Sequence, residues 1–327
     1  MFLQTGETGR KSREKARAGR QPEAKREVPL EILMSTKPPP AFGRLILPAA
    51  ILFLAVTALG AETNSVPPMA VDSTNHWKLV WSDEFDTNGP PNPANWNFER
   101  GFVRNNELQW YQPENACCTN GLLIIEARRE HKPNPNYLTN SSNWKTSRQW
   151  IEYTSASLTT RGLRQFTYGR FEMRVRIDTR SGSWPAFWTL GATPRIGWPA
   201  CGEVDIMEYY RNMVLANVAY SVNGRPVWSS PRRSPAELGG EDWSQKFHIW
   251  TMDWDTNKMD LLLDGKLMNH FDVATADGSD RGNPFHGPEY IILNQAIGGD
   301  NGGDPSRTTF PIRYEIDWVR VYQRGNW

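Results

Sequence analysis

Arg170-Phe171-Glu172-Met173-Arg174-Val175-Arg176-Ile177 alternates polar and apolar side chains for eight residues. That is the period-two pattern of a strand with one buried face, here Phe171, Met173, Val175 and Ile177. The same signal recurs on both sides of it. Leu122-Leu123-Ile124-Ile125 and Tyr290-Ile291-Ile292-Leu293 are short apolar runs suited to covered strands, and Tyr314 to Tyr322 reads as a closing strand. Between Met259 and Met268, Asp264-Gly265 separates two strand-like halves, which predicts a type I′ hairpin. No convincing amphipathic helix, repeat or heptad run is present. The fold class is therefore all-β, two stacked antiparallel sheets, over one domain from Trp77 to Trp327.

The chain of 327 residues carries 37 Lys+Arg and 36 Asp+Glu. Ten of the basic residues but only five of the acidic ones fall in the first sixty positions, so the remainder is mildly acidic. Such a body argues against a nucleic-acid partner, whose phosphates call for a basic surface. The 15 Trp residues exceed what a core needs and suit stacking on flat, apolar ligand faces such as those of sugar rings.

Leu45 to Gly60 is a mostly apolar run preceded by Lys37 and Arg44 and ending Ala58-Leu59-Gly60. It is short for a membrane span and contains a proline, so a secretory signal over 34–60 fits better than a membrane anchor. This predicts a secreted or periplasmic protein with no stable membrane insertion after signal removal. Met34 stands at the usual distance upstream of a signal core, so residues 1–33 read as an extension ahead of the true start. Residues 61–76, with Pro67-Pro68, read as a linker. Three cysteines rule out a disulfide-built miniprotein. Cys117 or Cys118 bridging to Cys201, and three separate thiols, both stay open.

The chemistry concentrates in Cys201-Gly202-Glu203-Val204-Asp205-Ile206-Met207-Glu208-Tyr209. In a strand Glu203 and Asp205 share a face, and one extra residue at Ile206-Met207, a β-bulge, brings Glu208 to the same side. Val204 and the bulge then face the core. Three carboxyl groups so close repel, so at least one holds a proton near neutral pH. Glycosidic cleavage needs such a set, one carboxylate to attack and one acid to protonate the leaving oxygen. A solvated acidic strand edge or a calcium site would also read this way.

The stretch resembles the active-site signature of glycoside hydrolase family 16, E-x-D-x-x-E in its bulged form. Further blocks are similar to that family in the same order. They are Val80 to Phe85, Asn105-Asn106-Glu107-Leu108-Gln109-Trp110, Tyr153 to Ala156, Tyr168 to Glu172, Trp184-Pro185-Ala186-Phe187-Trp188, Trp198-Pro199, Ile292-Leu293-Asn294 and Asp317 to Tyr322. The resemblance implies a β-jelly-roll sandwich with a concave substrate cleft, acting as a laminarinase-type endo-β-1,3-glucanase on a polysaccharide; nothing in the sequence suggests more than a monomer. It makes Glu203 the nucleophile, Glu208 the general acid and then base, and Asp205 the residue that sets their protonation. Asn105, Glu107, Trp184, Trp188, Trp198 and Asn294 become substrate contacts, although each tryptophan can also be read as core filling. No cofactor is implied for the chemistry. A structural calcium is implied at Glu84, the carbonyl of Gly121 and Asp317, oxygen donors of the kind calcium takes. Leu215 to Tyr220 lacks the histidine that laminarinase-type members often carry there. Mixed-linkage glucan or a marine galactan as substrate, transglycosylation, and carbohydrate binding without cleavage therefore stay open.

Overall fold

The computed structural model describes residues 77–240 and 242–325. The extension 1–33, the signal 34–60 and the linker 61–76 lie outside the described residues. The two sheets expected from the sequence are present, one of ten strands and one of eight. Among the described residues all strand pairings are antiparallel except that of Gln109–Tyr111 with Trp150–Ser155. The α-helices among the described residues are each four residues long.

The alternation that opens the sequence reading becomes the strand Gly169–Arg176, in which Phe171, Met173 and Val175 are buried in the core. It lies in the ten-stranded sheet between His248–Trp254 and Ile312–Arg324. Strands Lys258–Leu263 and Lys266–Asp272 form the expected hairpin, with Asp264 and Gly265 both at positive φ as a type I′ turn requires. In the eight-stranded sheet the neighbours run, by residues, Arg225–Ser229, Met213–Val222, Glu203–Tyr210, Ser183–Gly191, Glu289–Ile297, Ser157–Thr159 and Asn97–Phe98. Arg232–Arg233 pairs alongside the first of these on Met213–Val222.

The main core lies between the sheets. Phe171, Met173, Trp250, Met252 and Val319 from one sheet join Phe187, Val204, Met207, Val218 and Leu293 from the other. Removing each such side chain from water contributes roughly 1.5–3 kcal/mol. Because strand side chains alternate, burial of these residues sends Trp184, Trp188, Glu203, Asp205, Asn217 and Asn294 to the opposite face of the eight-stranded sheet. There Trp188 packs in a separate small cluster with Ala186, Tyr290 and Ile292. All three cysteines are free thiols: Cys118 is buried in the main core, Cys201 is buried just ahead of the carboxylate strand and Cys117 is exposed. Burial pushes Cys118 up to about 12 and Cys201 up to about 11, which keeps both as neutral thiols.

Candidate active site

The strand Glu203–Tyr210 contains the expected bulge. Against Met213–Val222, Asp205 faces Asn217 and Glu208 faces Leu215, so two residues on one strand oppose one on the other. On the other side Asp205 faces Trp188 and Met207 faces Phe187. Val204, Ile206 and Met207 enter the core, and Glu203, Asp205 and Glu208 share the opposite face. Gly202 introduces the strand at φ +79, and a Cβ there would meet Pro284 at 2.9 Å, so only glycine fits that approach.

Each carboxyl group has a defined set of donors. Trp184 Nε1 donates to Glu208 Oε1 at 2.7 Å. Asn217 Nδ2 donates to Asp205 Oδ2 at 2.8 Å and to Glu208 Oε2 at 2.7 Å. Asn217 is oriented in turn by Ser230, whose hydroxyl donates to its carbonyl oxygen. Glu203 is hydrogen-bonded to Asp205 and to the Trp198 indole. Trp198 is 51% exposed, an open ring beside Glu203, whereas Trp184 is 5% exposed and serves as a buried donor.

The electrostatics follow from burial without a cation. Burial, then the charge of Asp205, its hydrogen bond and the charge of Glu208, raise Glu203 well above the ordinary carboxyl range. Glu208 is pushed up to about 8, by burial and the Asp205 charge first, against the Trp184 and Asn217 hydrogen bonds that lower it. Asp205, buried and held by Asn217 and Glu203, rises to about 6. At neutral pH the trio therefore retains protons, as a row of like charges must.

Glu107, Trp188 and Asn294 are brought together in a buried polar chain. Trp188 Nε1 donates to Asn294 Oδ1 at 2.7 Å, and Asn294 Nδ2 donates to the Tyr111 hydroxyl at 3.0 Å. Tyr111 is hydrogen-bonded to Glu107, which also accepts from Gln109 Nε2 at 2.7 Å. Burial pushes Glu107 up to about 7 against the field of Arg104, and its charge in turn adds to the rise at Glu208. Trp188 is buried and the Arg104 guanidinium lies 5.0 Å from its ring centroid, so that ring face is covered. Asn105 is exposed on the loop above, and its carbonyl accepts from Asp300 N at 2.9 Å. Gly299 lets the two loops close: a Cβ there would fall 2.6 Å from the Asn105 oxygen.

The calcium donors sit elsewhere. Glu84 accepts from Arg320 at 3.0 and 2.8 Å, and Asp317 is ion-paired with Arg174. Gly121 occupies the turn at φ +74 between Ala116–Thr119 and Leu122–Pro133. Both carboxylates already have guanidinium partners, so an ion at this place would have to displace two arginines.

Asn217 is the functional side chain that motif reading passed over, since it lay within the stretch from Leu215 to Tyr220 noted only for lacking a histidine. The signal was present. The two-residue turn Arg211-Asn212 sets Tyr210 opposite Met213, and counting back through the bulge puts Asn217 opposite Asp205. Tyr111 and Arg104 carried no comparable signal, because the cleft residues they reach, Asn294 and Trp188, lie far away in sequence.

Residues 111–320 match the family model described as glycosyl hydrolases family 16. The chain is 35% identical over 269 residues to a beta-glucanase of Rhodothermus marinus, covering 77% of this chain and 87% of that protein. Some other curated relatives are longer, and the chain spans about a third of the length of two of them. It resembles the structure of the laminarinase catalytic domain from Thermotoga maritima MSB8, with TM-score 0.64 and 34% identity over 76% of this chain and 99% of that one. It also resembles, with TM-score 0.71 and 32% identity over 79% of this chain and 94% of the other, a structure reported with endo-acting O-glycanases of human gut microbiota that initiate mucin breakdown. The chain belongs to glycosyl hydrolases family 16 and is a glycoside hydrolase.

Proposed function

From its membership of that family, we propose that the protein is a secreted, endo-acting, retaining hydrolase of β-1,3-glucan. The observation that carries the mechanism is the bulged strand with Glu203, Asp205 and Glu208 on one face and, among the described residues, no cation paired to any of them. Glu203 attacks the anomeric carbon as the glycosidic bond breaks, and the Glu208 proton passes to the leaving oxygen. A water then attacks the glycosyl–Glu203 bond, giving its proton back to Glu208. Without substrate the proton of the Glu203–Asp205 hydrogen bond sits on Glu203, the more strongly raised of the two, and Asp205 accepts it. For the first step Glu203 must be the anion, so that proton passes to Asp205 before or as Glu203 attacks. Glu208, pushed up to about 8, keeps its proton at neutral pH. Each of its oxygens already accepts an N–H, so the carboxyl proton is left to point into the cleft.

The beta-glucanase and laminarinase relatives support the glucan as substrate, and the apolar run from Leu45 to Gly60 supports export. No helix among the described residues is long and apolar enough to cross a membrane. The absence of a histidine from Leu215 to Tyr220 favours a second reading in which another β-linked glycan such as a galactan occupies the cleft. Incubation with laminarin, with Glu203→Gln as the blank, separates the two. A ladder of short glucose oligomers absent from the blank is expected. No cleavage of laminarin, with cleavage of mixed-linkage glucan or a galactan, overturns the substrate and leaves the mechanism.

A further inference from the structure

The outermost strand of the cleft sheet, Arg225–Ser229, carries an exposed aromatic ring that none of the chemistry above uses. Trp228 is 45% exposed. Its pairing partner across the sheet is Ala219, and the partner of Ala219 is Glu203. Residues directly opposite one another point to the same face. The neighbours of Ala219, Val218 and Tyr220, enter the core, which fixes Ala219, and with it Trp228, on the cleft side. The one residue between Trp228 and Glu203 in this row is alanine, so no bulky side chain of the intervening strand rises between them.

The strand is also fastened at both ends, although it lies at a sheet edge. At its start, Asp280 accepts from Asn223 N at 2.7 Å and Gly224 N at 2.8 Å, pinning the turn that leads into it. At its end, the Ser229 hydroxyl donates to Asn269 at 3.2 Å, and Asn269 Nδ2 reaches across to the Ala216 carbonyl at 2.9 Å. A large exposed ring on a segment held this way is an ordered surface, and stacking on it costs little conformational freedom.

We propose that Trp228 is a sugar-stacking platform forming an outlying subsite at the end of the cleft, occupied by a pyranose ring of the same chain whose bond is cleaved at Glu203. Neighbouring strands are spaced about 4.8 Å apart, so Trp228 stands roughly 10 Å along the cleft from Glu203. This is of the order of two linked sugar units from the cleavage point. The occupant follows from continuity with the catalytic row, so the proposal rests on the reading that Glu203 marks the scissile bond.

The test is a series of β-1,3-linked glucose oligomers of increasing length, cleaved by wild type, Trp228→Ala and Trp228→Tyr. The ratio of kcat/KM for the longest oligomer to that for the shortest one cleaved is expected to fall roughly tenfold in Trp228→Ala, as loss of one aromatic contact implies. The change should lie mainly in KM, and Trp228→Tyr should restore much of the ratio. An equal loss at every length would show a structural role and overturn the proposal, as would an unchanged ratio. If wild type cleaves none of these oligomers, the glucan reading fails separately. Retention in gels cast with laminarin, mixed-linkage glucan or agar-type galactan then decides for Trp228. Weaker retention of Trp228→Ala in the gel that slows wild type supports the platform, and equal retention, or none of either protein in any gel, rejects it.

Discussion

Two faces of this sandwich carry rows of carboxylates and treat them in opposite ways. On the outer face of the ten-stranded sheet the acids are matched with arginines. Asp253 pairs with Arg170, Asp317 with Arg174, Glu315 with Arg176 and Glu84 with Arg320. On the cleft face of the other sheet Glu203, Asp205 and Glu208 have, among the described residues, only neutral donors from other side chains, Trp184, Trp198 and Asn217. Both rows arise from the same alternation of side chains in strands. The compensated row is a solvated surface held in register. The uncompensated row keeps protons that belong to the reaction.

The largest effect that would break this contrast is removal of a cleft carboxyl. Glu203→Gln or Glu208→Gln should lower kcat by roughly a thousandfold or more while the protein stays folded, read by product release together with circular dichroism. A milder loss in both would place the chemistry elsewhere.

Next comes Asn217→Ala. Its hydrogen bonds lower the proton affinity of Asp205 and Glu208, so without them both carboxyls should rise further. The alkaline limb of the activity profile should move to higher pH, and kcat should fall by roughly ten- to a hundredfold. A loss of kcat with an unmoved limb would make Asn217 a sugar contact instead of a partner of the acids.

The pH dependence of stability sharpens the comparison. Glu208 at about 8, Glu107 and Glu289 at about 7 and Asp205 at about 6 are all raised by burial. The folded state therefore binds more protons than the unfolded chain above the ordinary carboxyl range. Stability from this source is complete below about pH 4 and is lost as pH rises through 6 to 8. Tm should be lower at pH 8.5 than at pH 5, and Glu208→Gln should flatten the slope. Activity should decline over the same alkaline range as Glu208 gives up its proton.

The smallest effect belongs to the outer row. Arg320→Met should cost about 0–1 kcal/mol in a denaturant titration and leave kcat unchanged, because partly exposed pairs contribute little. The wild-type protein addresses the calcium expectation. With Arg320 and Arg174 in place, adding calcium to EDTA-treated wild type should leave Tm unchanged. A rise would show that the ion displaces the guanidinium groups from Glu84 and Asp317.

Much of this was readable from the chain alone, for a physical reason. The strand of Phe171, Met173 and Val175, the hairpin at Asp264-Gly265 and the bulge at Ile206-Met207 are set by local rules, since alternation, turn chemistry and one extra residue act over a few positions. The shared face of Glu203, Asp205 and Glu208 follows from those rules. Tertiary structure alone decided what surrounds them. Asn217 reaches Asp205 and Glu208 through strand register, Trp188 is covered by Arg104 from a distant loop, and Glu107 is tied to Trp188 through Tyr111 and Asn294. Burial, the largest cause of the raised proton affinities, is a property of packed sheets. A sequence pattern can place an acid on a face, but only the folded protein determines whether a cation or a neutral hydrogen-bond donor stands opposite it.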